Sequence, residues 1–303
     1  MKTAGLAGFL SRLCRLALTV GIVSLSACGT GDSDRDKDDL SSRGARVISL
    51  SPSTTEIMFD LGLEKRLIGV SRFCQLPSGY ENIENIGGYL DPNYEKIAAL
   101  KPDLLILLPE QEGVGRYLSG LGLKTLTIDN KTVEDILDGI SVLGSAFGRK
   151  GRADSLVSSI NSRIEGIRRS RQVTERPRVL ISIGHDFGSG KAQEVYAAGK
   201  GTYYDQLLSI AGGENVCDNR MVSFPVMSSE GILSLDPDIV IELIPVAGME
   251  DLTDEEIRAE WDCLAGIAAV RDNRVHIIRK EYSHIPGPRF ILLLEEFAGI
   301  LRN

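Results

Sequence analysis

Apolar residues in this chain gather in short unbroken runs, and between the runs they recur at helical spacing. "RVISLS" (Arg46 to Ser51) is a run of the first kind, and "STTEIMFDLG" after it reads as a capped helix closed by Gly62. "RLIGVS", "DLLILL" and "KTLTID" continue the series. Strands that are apolar on both faces and alternate with helices predict a parallel sheet covered on both sides. From Thr132 to Arg171 the pattern is helical, with a weak point at Gly148 to Gly151, and contains no convincing strand. Alternation restarts with "RVLISIG", "GTYYDQLLSIAGG", "RVHIIRK" and "PRFILLLEEFAGIL". The expectation is an α/β protein of two Rossmann-like lobes with parallel sheets, residues 46–131 and 172–303, joined by one long α-helix over 132–171. A ligand cleft then lies between the lobes, lined by loops at the carboxyl ends of the strands.

One unit occurs twice. "GGYLDPNYEKIAALKPDLLILL" (Gly87 to Leu108) returns as "FPVMSSEGILSLDPDIVIEL" (Phe224 to Leu243). Tyr89, Glu95, Leu100, Pro102 and Asp103 answer to Phe224, Glu230, Leu235, Pro237 and Asp238, always 135 residues apart. Each glutamate opens a short helix, of which Ile97 and Leu100, or Ile232 and Leu233, are expected to face inward. A carboxylate in a first helical turn gains about 0.3–1 kcal/mol from the helix dipole, which is the purely structural reading of the repeated glutamate.

The amino terminus changes the compartment. Lys2, Arg12 and Arg15 precede the apolar run "LALTVGIVSLSA", too short for a stable membrane span, which ends at small residues before a cysteine. Residues 1–28 read as an export signal. "LSAC" (Leu25 to Cys28) resembles a bacterial lipobox, implying cleavage before Cys28 and lipidation of its thiol; several acyl chains together hold firmly to a membrane. Residues 29–45 are polar and read as a flexible tether. The expected location is the periplasm or outer cell surface, as a membrane-anchored lipoprotein.

With 303 residues, 43% of them hydrophobic, the chain can bury a large core. A net charge of -8 without a dense basic run argues against a nucleic-acid partner. Cys74, Cys217 and Cys263 remain to the folded part, and Cys217 with Cys263 is a candidate disulfide whose pairing spacing does not fix. No CxxC or HExxH spacing is present, so no metal site is assigned. "GHDFGSGK" (Gly184 to Lys191) departs from a phosphate loop in spacing and in carrying Ala192 where Ser or Thr would bind magnesium. Ser51, Ser53 and Ser71 lie at strand ends without a nucleophile elbow, and neither His185 nor His284 has an assignable partner, so catalysis is not expected.

"RVISLSPSTTEIMFDLG", "GGYLDPNYEKIAALKPDLLIL", "AGKGTYYDQLLSIAGGENV", "SSEGILSLDPDIVI" and "PGPR" (Pro286 to Arg289) together resemble the helical-backbone substrate-binding proteins of ABC importers. The likeness runs from Arg46 to the C-terminus, with the motifs in the family's order, and is closest to the cobalamin-binding branch. It implies transport without catalysis or a cofactor: a metal-organic ligand held in the cleft and delivered to an ABC permease dimer with its ATPase subunits. Phe73, Tyr89 and Phe224 match the aromatics lying against a corrinoid, with Tyr89 and Phe224 standing where tryptophans are expected. Glu281, Tyr282 and His284 fall in the loop that faces the ligand, where His284 is either a metal ligand or a histidine bonded to backbone. Glu95 and Glu230 match the glutamates that engage permease arginines. Iron-siderophore and haem load the same architecture and are the alternative ligands; a bare metal-ion binder or an envelope enzyme is a remote alternative.

Overall fold

The computed structural model describes Leu40 and residues 44–170, 176–246, 248–249 and 251–302. The signal segment 1–28, Cys28 and all of the tether except Leu40, Gly44 and Ala45 lie outside the described residues. The apolar runs become strands. In chain order the first lobe runs β1 (Val47–Ser49), α1 (Pro52–Asp60), β2 (Leu67–Val70), β3 (Glu84–Asn85), α2 (Tyr94–Leu100), β4 (Leu104–Leu107), α3 (Glu112–Gly120) and β5 (Thr125–Thr127). Its sheet is parallel in the order β3-β2-β1-β4-β5. α1 starts where Ser51 accepts the amide of Thr54 and Pro52 opens the first turn.

Two helices follow, α4 (Val133–Ala146) and α5 (Lys150–Ser170). The expected single long helix over 132–171 is thus corrected to a pair. Gly148 takes a left-handed conformation (φ 65°) that ends the first helix, and a methyl at Gly144 would collide with Ala153, so the helices touch through their smallest residues. α5 reaches both lobes. Arg152 Nε donates to the Asp60 carbonyl at the end of α1, while Arg163 pairs with Glu295 at 2.8 Å in the last helix.

The second lobe contains β6 (Arg178–Ser182), β7 (Val195–Tyr196), α6 (Tyr203–Ala211), β8 (Glu214–Asn215), β9 (Val226–Met227), α7 (Ser229–Leu235), β10 (Ile239–Ile244), α8 (Asp254–Glu260), α9 (Ala268–Arg271), β11 (Val275–Arg279) and α10 (Phe290–Ile300). Its main sheet is parallel in the order β11-β10-β6-β8, with β7 and β9 forming a separate antiparallel ribbon. One core cluster runs through both lobes and the helix pair, from Val47 and Met58 through Ile140 and Ile160 to Leu207 and Phe297. The lobes therefore share buried surface. Cys74, Cys217 and Cys263 are free thiols, so the candidate disulfide is not formed.

The repeated unit builds the same joint in each lobe. α2 and α7 both have seven residues, are capped by Asn93 and Ser228, and end in left-handed Lys101 (φ 48°) and Asp236 (φ 43°). Asp103 Oδ2 accepts the amide of Arg46 at 2.8 Å, and Arg46 Nη2 donates to the Leu100 carbonyl at 2.7 Å. Asp238 and Arg178 repeat both bonds, at 2.8 Å and to the Leu235 carbonyl at 2.7 Å. The arginine that opens the neighbouring strand thus caps the short helix, as cations near a helix C-terminus do. Ile97 and Ile232 are buried as expected, but Leu233 is 43% exposed. Leu235, one turn beyond Ile232, packs inward in its place.

This joint predicts that Asp238→Ala costs about 1–2 kcal/mol of stability, the scale of a charge-assisted hydrogen bond at a partly solvated site, and that Asp238→Asn recovers part of it. Urea unfolding measures both. An unchanged midpoint for Asp238→Ala would show that the clamp contributes nothing.

Candidate ligand-binding site

The direction of strand addition reverses between β1 and β4, and in such sheets the crevice outside the carboxyl ends of those strands is where ligands sit. A cavity of about 350 Å³ opens there, lined on one side by Ser51, Ser53, Tyr89, Leu108, Glu110 and Asn130 and on the other by Phe224, His284, Ile285 and Pro286. Tyr89 reaches it from a tight turn. Gly87 adopts a positive φ of 101°, and a side chain at Gly88 would run into Asp91 and Arg72. Buried Gln111 then holds the turn, since its Nε2 donates to the carbonyls of Tyr89 at 2.7 Å and Leu50 at 3.1 Å while its Oε1 accepts the amide of Leu108 at 2.8 Å. Tyr89 Oη donates to Glu110 Oε2 at 3.4 Å. Burial and the adjacent Glu110 carboxylate push its pKa up to about 12.

Across the gap, His284 sits on a loop held from behind. The Ser283 carbonyl accepts from Tyr203 Oη at 3.3 Å and Tyr204 Oη at 2.9 Å. The Tyr204 ring lies edge-on to Phe224, 6.2 Å between centres. His284 Nε2 is 3.4 Å from the Ile183 carbonyl and Nδ1 is 3.0 Å from Ser283 Oγ. A carbonyl only accepts, so the proton is assigned to Nε2; the Ser283 hydroxyl gives its own proton to the Lys280 carbonyl at 2.7 Å, so Nδ1 meets an oxygen lone pair there and not a donor. Burial lowers the pKa of this histidine, and both ring nitrogens lie against protein oxygens.

A second cavity, of about 660 Å³, runs along α1 and is lined by Thr55, Glu56, Asp60, Gln75 to Ser78, Glu281 and Arg289. Between the two cavities the Pro286-Gly287-Pro288-Arg289 strap lies against α1, close enough that a Cβ on Gly287 would stand 2.9 Å from Glu56 Oε2 and 3.3 Å from Ser53 Cα. Arg289 donates to Glu56 Oε1 through Nε at 3.1 Å and Nη2 at 2.6 Å. This ion pair joins the lobes.

Of the six residues expected at the ligand, Tyr89, Phe224 and His284 meet at the first cavity and Glu281 borders the second. Phe73 lines neither; it is 56% exposed, with the Arg72 guanidinium 5.4 Å from its ring. Tyr282 turns to the last helix, packing on the core and donating to Glu296 Oε1 at 3.3 Å. Sequence reasoning misses Gln111, Tyr203, Tyr204, Glu56 and Arg289 as site residues, although Gln111 is a lone polar residue directly after an apolar strand and Arg289 stands in the quoted "PGPR".

The glycine-rich loop that fails as a phosphate loop has a different role. His185 lies between two carboxylates, with Nδ1 at 3.2 Å from Glu242 Oε2 and Nε2 at 2.9 Å from Glu260 Oε2. Glu242 is further held by Ser182 Oγ at 2.7 Å and Trp261 Nε1 at 3.0 Å, and Glu260 by the Gly190 amide at 2.8 Å. This cluster pins the loop whose Ile183 carbonyl meets His284. Among the described residues, no group of three or more His, Cys, Asp or Glu is placed to hold a metal ion.

The sequence profile described as periplasmic binding protein matches residues 47–282. The chain belongs to that family. It is 26% identical over 310 residues to the uncharacterized ABC transporter substrate-binding lipoprotein YvrC of Bacillus subtilis, covering 93% of this chain and 94% of that one. It is 29% identical over 260 residues to the vitamin B12-binding protein of Salmonella typhimurium, covering 84% of this chain and 90% of that one. Among solved structures, a periplasmic heme binding protein from Pseudomonas aeruginosa aligns with a TM-score of 0.71 at 25% identity, over 85% of this chain and 92% of that one. The family expected from the motifs is the family found.

Burial alone would lower the His185 pKa, but Glu242 and Glu260 outweigh it and raise the value above the ordinary 6.5. The folded state therefore binds this proton more tightly than the unfolded chain. The stabilisation is complete below about pH 6.5 and is lost as pH rises through the raised folded-state value. Melting temperature measured against pH is expected to fall over that window, and His185→Gln to flatten the fall. Parallel profiles for the two proteins would remove His185 as the cause.

Proposed function

We propose that this protein is the substrate-binding lipoprotein of an ABC importer, capturing a corrinoid in the interlobe cleft and delivering it to the permease. The observation that carries the choice of ligand is that each group in the first cavity able to bind a metal already meets a protein partner, Tyr89 and Glu110 each other and His284 the Ile183 carbonyl. His284 gives its Nε2 proton to the Ile183 carbonyl and has Nδ1 closed off by Ser283 Oγ at 3.0 Å, and the Tyr89 phenol is held protonated well above neutrality. Such a site suits a flat complex that brings its own metal ligands. Tyr89 and Phe224, on opposite lobes, supply ring surface, while serine hydroxyls and Asn130 supply rim hydrogen bonds. Similarity to the vitamin B12-binding protein of Salmonella typhimurium supports the same choice. Haem is the second reading, favoured by the likeness to the Pseudomonas protein; it requires His284 to leave the Ile183 carbonyl.

Absorption titrations with cyanocobalamin, haemin and a ferric siderophore test this directly, because each chromophore shifts on binding. Only the corrinoid spectrum is expected to shift at micromolar concentration. Tyr89→Ala and Phe224→Ala should each weaken corrinoid binding by about 0.5–1.5 kcal/mol beyond lost contact area, with folding kept. A large fall in melting temperature at unchanged affinity would make both rings core residues instead.

Glu95 and Glu230 are assigned to permease docking. Both are exposed in the first turn of matching helices, and neither has an ion-pair partner among the described residues. Membrane attachment is assigned to Cys28 on the lipobox and the tether that follows it. The Glu95→Lys, Glu230→Lys double variant should fold and bind ligand yet fail in uptake, since like charge across an interface costs several kcal/mol. Normal uptake by that variant rules out the docking role, and membrane fractionation of Cys28→Ser identical to the parent rules out the anchor.

A further inference from the structure

The second cavity is acidic in a way its structural role does not require. Glu56, Asp60 and Glu281 face it against the guanidinium of Arg289. Both short Arg289 bonds go to one oxygen of Glu56, and Oε2 is buried without a hydrogen-bond donor. Arg289 Nη1 is 3.6 Å from Glu281 Oε2, so its charge is divided between two carboxylates. Arg152 approaches Asp60 from α5, its Nε donating to the Asp60 backbone carbonyl, and its charge offsets part of that carboxylate's, leaving three carboxylates against two guanidinium groups. The neutral part of the lining, Thr55, Gln75 and Ser78, offers both donors and acceptors.

We infer that this cavity sets the ligand class by charge, admitting a complex whose periphery is made of neutral amides and rejecting one whose periphery carries carboxylates. The inference rests on the proposed reading of the cleft as a corrinoid site. Glu56 and Glu281 flank the strap, and beyond it lies the cavity holding Tyr89 and Phe224, so a flat ligand broad enough to overhang that cavity brings its edge to the acidic wall. An amide edge finds hydrogen-bonding partners there. A carboxylate edge meets like charges within about 8 Å, the screening length at physiological salt, in a setting where burial weakens screening further. Burial raises the pKa of Glu56 and of Asp60 against the lowering effect of the neighbouring guanidinium groups, so these carboxylates sit where charge is weakly solvated.

The test compares cyanocobalamin with the separated monocarboxylates made by mild acid hydrolysis of its peripheral amides, using absorption titration. At least one monocarboxylate is expected to bind tenfold or more weakly than the parent. Glu281→Gln and Asp60→Asn should each raise the affinity for that derivative at least threefold and so narrow the ratio. If Asp60→Asn does not fold, Glu281→Gln decides, because its carboxylate is half exposed. Parental affinity for every monocarboxylate, or a ratio untouched by the variants, overturns the inference. Failure of cyanocobalamin to bind at all overturns the corrinoid reading instead. The charge inference is then decided by haemin, whose two carboxylates should bind more tightly to both variants than to the parent; equal haemin affinity overturns it.

Discussion

The contact of the Pro286 to Arg289 strap with α1 is the interaction on which the shape of the cleft depends. A Cβ at Gly287 would stand 2.9 Å from the Glu56 carboxylate and 3.3 Å from Ser53 Cα, so any other residue requires one of these neighbours to give way. Two residues on, the guanidinium of Arg289 fixes the distance of the strap from α1 by directing two donors at one carboxylate oxygen. An ion pair removed from most of its water gains little stability by itself. Its geometry is what matters, because it ties the first helix of one lobe to the segment entering the last helix of the other. The shared core from Val47 to Phe297 and the arm of α5 hold the lobes elsewhere. The strap therefore divides the interlobe space into an aromatic cavity and an acidic one rather than leaving one open trough.

The duplicated unit separates into two sets of residues with different reasons to repeat. Leu, Pro and Asp, with the strand arginine they meet, form a helix-to-strand joint, and both copies reproduce it to the same hydrogen-bond lengths. Glu95 and Glu230 take no part in that joint. Because the joint fixes each short helix relative to its sheet, the two glutamates occupy equivalent places on their lobes whatever their partner is. Equivalent exposed charges on two similar lobes are what a two-fold partner would read. The proposed docking role thus draws support from the same geometry that explains the rest of the repeat structurally.

What the sequence made legible was local. Strands appeared as apolar runs because both faces of each parallel sheet are covered, and α1 was readable from Ser51, Pro52 and Gly62 because caps act within a few residues. The break between α4 and α5 was visible only as a weak point, since whether a glycine ends a helix depends on the Gly144 to Ala153 contact that folding creates. Groups paired over long separations were not legible. Arg46 with Asp103, Gln111 with Leu50, His185 with Glu260 and Glu56 with Arg289 are each 57 or more residues apart. Nothing in local spacing singles out such partners. Tyr282 misses the cavities for a related reason, since its contact with Glu296 on the last helix exists only after folding, while Phe73 lies exposed beside its own neighbour Arg72.

On the proposed reading, the occupied state of His284 and Tyr89 has a consequence for release. A carrier that bonds a metal through its own side chain must break that bond each time it delivers the ligand. One that holds a flat complex through ring contacts and rim hydrogen bonds gives it up as the lobes' grip loosens, and differences in affinity between such complexes lie mostly in the rate of departure. Tyr203 and Tyr204 carry both the His284 loop and the edge of Phe224 on a single carbonyl and a single ring contact. A small displacement of that support would shift one whole wall of the aromatic cavity at once. The wall on the other lobe, bracketed by Gln111, would stay in place, so the ligand would lose contact on one side first.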